Sequence, residues 1–456
     1  MPSPDGMTPS QGRPPSPLRQ LLSSLRGSET RTAGILAGAM IMTNVVALVT
    51  TIAFGRLLGV EGYGQLAAIL SSFIILSVPG AALQVATARE GALGHLGEGR
   101  QFATTLKRWT TSLVILTGVV TVVSILLRHP IADLIGVKLE WAAAGVAPAA
   151  CIWILLSVQR GALQASRAYM AVGVSMIAEQ IARLGLGAGL ALAGLGVTGA
   201  YFGTPLAMVV TSAVLYLILQ GRLGRAEAGR IAHGLRRLAL NARPAIVGLA
   251  LIAVLQNIDV IVAQHRLSEL DAGTYAAAAV AAKVVVWVAI GIGFYLLPEA
   301  ARKHAAQEDA RPVLLRALGM TAVVAAPCLL IYGFFPETLL KLAFGPKYEG
   351  GATALFELGI AMALLAVCYL AVQLLLALRE VRFLWGLGAV AVAEPVALLM
   401  LPGGGTIDGF ATTVLIIQTI AATGALFAAY RASAPPTAAA EPGASTVQTP
   451  NRATST

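Results

Sequence analysis

Asp259, Lys283, Glu179, Arg183 and Glu394 are ionisable residues set deep inside long apolar stretches of the chain. Charges in such surroundings are costly, and they mark ion pathways, substrate contacts or buried pairs. Asp259 lies about 7 residues from the outer end of its stretch and Lys283 about 9 residues from the outer end of the next, so both sit roughly 10–14 Å below the outer surface at about 1.5 Å per residue. Neighbouring antiparallel helices would let them pair, either as a charge-neutral staple or as a salt bridge that opens when substrate or a proton competes for one partner. Glu179 and Glu394 each fall about 11–12 residues from the inner end of a stretch, roughly 16–18 Å deep and close to the midplane. Secondary transporters hold substrate and coupling ions at that depth, so both acids are candidate coupling residues. Arg183 follows Glu179 by one helical turn, and a pair within the helix is the competing structural reading. Glu394 has no such neighbour and precedes Pro395, which frees a backbone carbonyl and kinks a helix. It is the better coupling candidate. Arg183 and Lys283 are the cations expected within the stretches and are candidate contacts to an anionic headgroup or glycan. Arg89, Arg160, Arg302 and Arg379 fall at the inner ends of four stretches. Two readings stand for these: anchoring at the inner leaflet, and capture of a pyrophosphate by the planar guanidinium fork.

The elements that must position these residues are membrane helices. Hydrophobic residues make up 57% of the 456 and charged residues 12%, with a mean hydropathy of +0.78. A water-soluble domain needs more charged surface than that. About twelve apolar runs approach the roughly 20 residues that span a bilayer core. They cover roughly 32–55, 64–88, 109–128, 141–160, 169–193, 198–220, 244–265, 274–298, 313–335, 351–377, 383–401 and 407–430. Backbone in lipid must satisfy its own hydrogen bonds, which predicts helices throughout. With the N-terminus inside, 24 of the 32 Lys and Arg fall in cytoplasmic segments and 6 in external loops. This bias predicts cytoplasmic termini in the cell membrane. The net charge of +10 then reflects topology and lipid headgroups, and nothing in it calls for nucleic acid. Residues 1–30 and 431–456 read as cytoplasmic tails, the first with a short amphipathic stretch around Leu18–Leu25 and the second disordered. Cys151, Cys328 and Cys368 are widely spaced and read as buried thiols.

A basic linker at 221–243, carrying Arg222, Arg225, Arg230, Arg236, Arg237 and Arg243, separates a six-helix bundle at 31–220 from a second at 244–430. The halves match at a nearly constant offset. Gly62 pairs with Gly273, Gln159 with Gln373, Arg167 with Arg382, Glu179 with Glu394 and Gly199 with Gly409. Six spans per half make this a parallel repeat, with a pseudo-twofold axis along the membrane normal. The expected architecture is an all-α integral membrane protein of about twelve transmembrane helices in two six-helix bundles. Two facing bundles around a central cavity suit alternating access.

The segments FGRLLGVEGYGQLAAI (54–69), NIDVIVAQ (257–264), DAGTYAAAAVAAKV (271–284) and LPEAAR (297–302) resemble the polysaccharide flippase family of the multidrug/oligosaccharidyl-lipid/polysaccharide exporter superfamily. The resemblance covers about 32–430. It implies flipping of a polyprenyl-(pyro)phosphate-linked oligosaccharide from the inner to the outer leaflet. It also places the second span, and so Arg89, close to the substrate cavity. The related peptidoglycan-precursor flippases carry two further C-terminal spans, which points this chain towards exopolysaccharide, capsule or teichoic-type glycans. Expected partners are membrane lipids, the lipid-linked substrate, a coupling proton or sodium ion, and a glycan polymerase with glycosyltransferases. No cofactor, metal site or enzymatic activity is expected. The sequence has no GxxxxGK[ST] phosphate loop and no HExxH or GxSxG, and its external loops, 129–140 and 336–350, are too short for a catalytic domain. The alternatives are a drug or metabolite exporter of the same superfamily, and a membrane enzyme or scaffold of envelope glycan assembly. Intramembrane cations and 6% aromatics favour the anionic glycolipid over a cationic drug.

Overall fold

The computed structural model describes residues 28–224, 234–306, 308–401 and 405–433. The stretch at Leu18–Leu25, the C-terminal tail from 434, and Arg225 and Arg230 of the linker lie outside the described residues. The chain forms two compact units, Met1–Ala242 and Arg243–Thr456.

Unit 1 opens with α1 (Ser28–Ala92), which is broken at Gly59 and contains Pro79. Gly59 has φ 70° and ψ 178°, a backbone shape that glycine adopts without strain. The expected loop at 55–64 is therefore a single kinked residue. Then come α2 (Arg100–Leu126), α3 (Arg128–Ile135), α4 (Glu140–Ala144) and α5 (Val146–Ala165). α6 (Tyr169–Leu190) runs through one wider π turn, Ala191–Leu195, into α7 (Gly196–Leu223). Gly194 and Gly196, both at positive φ, make that reversal.

Helix α8 (Leu235–Arg266) carries the chain from unit 1 into unit 2, with the division at Ala242. α9 (Glu269–Ala282) starts at Ser268, whose hydroxyl accepts the Asp271 backbone N–H at 3.1 Å, the usual N-cap device. A turn at Lys283 separates α9 from α10 (Val284–Ala305). There follow α11 (Arg311–Phe334), α12 (Pro336–Ala343), a 3-10 turn at Pro346–Gly351, α13 (Ala352–Ala377), α14 (Phe383–Leu399) and α15 (Ile407–Ala432).

Nine helical stretches among the described residues are long and apolar enough to cross a membrane. Two of them, Gly38–Ala92 and Tyr169–Leu223, are 55 residues long and hold two crossings each, and the 17-residue Phe383–Leu399 supplies another. The result is the expected twelve-helix membrane protein, six crossings to a unit.

The repeat is visible in packing. α2 and α11, third in each unit, are the peripheral helices, with 17% and 22% of their apolar windows buried. Their outward side chains, such as Val119, Leu126, Val323 and Leu330, are apolar and more than half exposed, as a lipid-facing surface requires. The fourth crossings, built on α5 and α13, are the most buried of their units, at 67% and 61%. Both helices end in the same turn. Arg167 and Arg379 adopt positive φ, at 57° and 59°. The following N–H groups, Ala168 and Glu380, reach back to Leu163 and Leu375 carbonyls. The structural partner of Arg167 is thus Arg379, not Arg382. Three extra residues before α14 restore the larger offset at Glu179 and Glu394.

Candidate functional site

In unit 1 the buried charges gather between α5 and α6. Ser175, Glu179 and Arg183 are spaced by four residues and share one face of α6. Arg160 of α5 donates through Nε to Ser175 Oγ at 3.1 Å and through Nη2 to Glu179 Oε2 at 2.6 Å. Arg183 donates through Nε to Glu179 Oε1 at 2.8 Å, and its Nη2 bonds to the same oxygen. The Trp153 ring lies 5.9 Å from the Arg160 guanidinium and 5.8 Å from that of Arg183, within cation–π range. One carboxylate therefore serves two guanidiniums, leaving one positive charge in excess. Arg160 and Glu179 are 3% exposed and Arg183 16%. Arg160 is not a surface anchor. α5 continues to Ala165, which draws Arg160 inside and lets its side chain reach α6.

In unit 2 a second cluster draws on α8, α9, α14 and the turn at Lys283. Asp259, Lys283, Asn257 and Glu394 are all buried. The expected Asp259–Lys283 ion pair does not form. Lys283 Nζ donates instead to Asn257 Oδ1 at 3.1 Å, and Asp259 Oδ2 accepts from the Tyr275 hydroxyl at 2.8 Å. Residues two apart on a helix point about 200° from one another, so Asn257 and Asp259 present themselves to different neighbours. Asp259, Lys283 and Glu394 still feel one another electrostatically. Asp259 Oδ1 and both Glu394 carboxyl oxygens have no hydrogen-bond partner among the described residues. With both acids ionised the cluster carries one negative charge in excess.

The repeat explains why the two midplane acids differ. Carrying the offset of Arg167/Arg379 back along α5 and that of Glu179/Glu394 along α6 places Val372 opposite Arg160 and Leu398 opposite Arg183, both fully buried. Glu394 occupies the position of Glu179 with each arginine replaced by an apolar residue.

Arg89 and Arg302 join neither cluster. Arg89 is exposed in the last turn of α1. Arg302 is 72% exposed, about 28 Å along α10 from Lys283 at about 1.5 Å per residue. Its guanidinium bonds Glu299 at 2.6 Å, and that hydrogen bond holds the Glu299 carboxyl below the usual glutamate range. Asn257 and Tyr275 were missing from the site the sequence suggested, and Arg160, expected at an inner helix end with anchoring or pyrophosphate capture as its readings, joins it as a partner of Glu179. The signal for Arg160 was its spacing from Glu179, which places it on the preceding helix. Tyr275 was visible only as a repeat landmark.

A family model described as polysaccharide biosynthesis protein matches residues 30–302. No curated protein gives a match. Among solved structures, an inward-facing multidrug resistance MATE family transporter of the MOP superfamily aligns over 88% of this chain and 98% of its own, with a TM-score of 0.72 and 16% identity. The outward-facing form of a MATE family transporter aligns at 0.62 over 91% and 98%, also at 16% identity. A MOP superfamily transporter from Pyrococcus furiosus aligns at 0.62 over 90% and 97%, at 16% identity, and the reversed polarity of its binding pocket is taken to suggest a different function for it. At these identities the likeness speaks for the fold. With the family match covering more than half of its length, the chain belongs to the polysaccharide biosynthesis protein family, built on the fold of the MOP superfamily transporters.

Proposed function

We propose that this protein flips a polyprenyl-(pyro)phosphate-linked oligosaccharide, or a close polysaccharide precursor, from the inner to the outer leaflet by alternating access. The observation that carries the reading is the surplus guanidinium of unit 1, where Arg160 and Arg183 share the single carboxylate of Glu179. An uncompensated cation within the membrane suits an anionic headgroup. Arg183, the less buried of the two, is the contact to the substrate phosphate. Arg89 and Arg302, exposed at helix ends, collect the headgroup from the cytoplasmic leaflet. Lys283 is a second anion contact once it leaves Asn257. In unit 2, Glu394 and Asp259 carry the coupling ion, a proton or sodium, because their free oxygens leave room for one more positive charge.

Reconstitution tests this directly. Proteoliposomes holding the full chain and a fluorescent lipid-linked oligosaccharide should move label to the outer leaflet. Arg183→Gln should slow that movement about tenfold or more while the protein remains folded. Unchanged flipping in Arg183→Gln would remove the anion-binding role of unit 1.

A further inference from the structure

We infer that the second crossing of unit 2 works as two half-helices, hinged at Lys283 and latched by the Tyr332 hydroxyl. The crossing opens as α9, an alanine-rich run that favours helix, and Val284, Val285 and Val286 follow Lys283 directly. β-branched side chains crowd the preceding turn, so the helical ladder fails where that run begins. The Lys283 N–H still reaches the Ala279 carbonyl at 3.2 Å, but the Val286 and Trp287 N–H groups both bond the Lys283 carbonyl, at 3.0 and 3.2 Å. The Val280, Ala281 and Ala282 carbonyls receive no backbone N–H among the described residues. Freed backbone inside a membrane is costly unless another group binds it.

The second observation is the group that meets this backbone. Tyr332, in the last turn of α11, donates its hydroxyl to the Ala281 carbonyl at 2.8 Å. It is 4% exposed, and its ring is seated on α13, where a Cβ at Gly359 would come within 2.6 Å of it. Packing therefore aims the hydroxyl, and Tyr332 is a positioning residue for the break. Unit 1 has neither part. Its second crossing runs unbroken from Val60 to Ala92. Counted back from the ends of α2 and α11, the position matching Tyr332 is Ser124, whose side chain is too short for the same reach. On one side of the break α9 is pinned, because Tyr275 bonds Asp259 and packs edge-on against Phe410. The half that swings is α10, and its movement draws the Lys283 ammonium away from Asn257 Oδ1, now at 3.1 Å. Hinges of this kind concentrate a large backbone change in a few residues at element ends. The inference goes beyond flipping, because the break and its latch belong to the helix whatever the protein carries.

Pulsed dipolar spectroscopy of the full-length protein in lipid nanodiscs tests it, with nitroxides on Leu270→Cys and Gly291→Cys and with Cys151, Cys328 and Cys368 replaced by alanine. Leu270 is 52% exposed, and a Cβ at Gly291 meets open space. A continuous helix would hold these two positions at a single distance of about 32 Å. The hinge predicts two distances or one broad distribution. The control pair Glu61→Cys and Leu76→Cys, both exposed on the unbroken part of α1, should give one narrow distance. Tyr332→Phe keeps the ring and removes the latch, and it should raise the share of the minor distance about threefold or more. A single narrow distance between positions 270 and 291 overturns the hinge. A distribution left unchanged by Tyr332→Phe, whatever its unfolding midpoint, overturns the latch and makes Tyr332 a packing residue only.

Discussion

Glu179 and Glu394 occupy equivalent places and should respond oppositely to the same substitution. Glu179 receives bonds from two arginines inside the protein. Removing one partner of a buried pair leaves a charge uncompensated, at a cost of about 3–5 kcal/mol. Glu179→Gln should therefore lower the thermal unfolding midpoint in detergent by several degrees and reduce the folded yield. Glu394 makes no hydrogen bond, so Glu394→Gln removes a charge and breaks no contact. Its unfolding midpoint should hold or rise, since a carboxylate buried without a hydrogen bond is costly and the amide removes that charge. Its proposed coupling role predicts instead that transport by Glu394→Gln loses its dependence on pH or sodium. A collapse in stability on Glu394→Gln, or ion-dependent transport that survives it intact, would remove Glu394 from the coupling step. Asp259→Asn is a milder test, because the Tyr275 hydroxyl can still donate to the amide oxygen.

At the scale of elements, close packing of α6 on α7 sets the geometry behind the arginine cluster. A Cβ at Gly203 would overlap the backbone of Gly187, and one at Gly187 would meet the Ala200 carbonyl at 2.8 Å. Small residues at such crossings let membrane helices approach. Gly203→Ala should destabilise by about 1–3 kcal/mol. Gly189→Ala, with open space around its Cβ, should be neutral or stabilise by up to about 1 kcal/mol. Thermal unfolding of both variants separates the two, and equal midpoints would contradict the packing. Much at this scale was legible in the sequence. Hydropathy marks length and depth, so the crossings, the Glu179–Arg183 pair and the burial of Glu394 could be read from it. Hydropathy does not report which way a side chain points around its helix, so Asn257 and Tyr275 were missed as the partners of Lys283 and Asp259. Short amphipathic segments also escape it. The segments expected as loops at 129–140 and 336–350 contain α3 and α12, eight residues each. Each leaves a bulky apolar residue outward, Leu134 at 76% and Leu342 at 73% exposed. They recur at the same place in both units, which fits helices lying in a membrane interface.

For the whole molecule, a duplicated scaffold has been given unlike charges. Unit 1 keeps two arginines on its midplane acid. Unit 2 has Val372 and Leu398 in their place and a separate Asp259–Lys283–Glu394 group. Duplication alone would have made the units chemically alike; in the proposed mechanism the divergence assigns anion binding to unit 1 and ion coupling to unit 2. The repeat was legible because landmarks such as Gly62/Gly273 and Glu179/Glu394 kept their order. The shift to Arg379 was not, because an insertion in a turn leaves no trace in hydropathy. The central claim is that this chain moves a finished oligosaccharide-lipid outward. Mass spectrometry of polyprenyl-linked glycans in a deletion strain and its parent tests it most directly, with an impermeant enzyme reporting the leaflet. The account predicts accumulation of a complete oligosaccharide-lipid that is protected from the external enzyme, reversed by the wild-type chain and not by Arg183→Gln. No accumulation, together with new sensitivity to cationic drugs, would contradict it and make the protein a drug exporter.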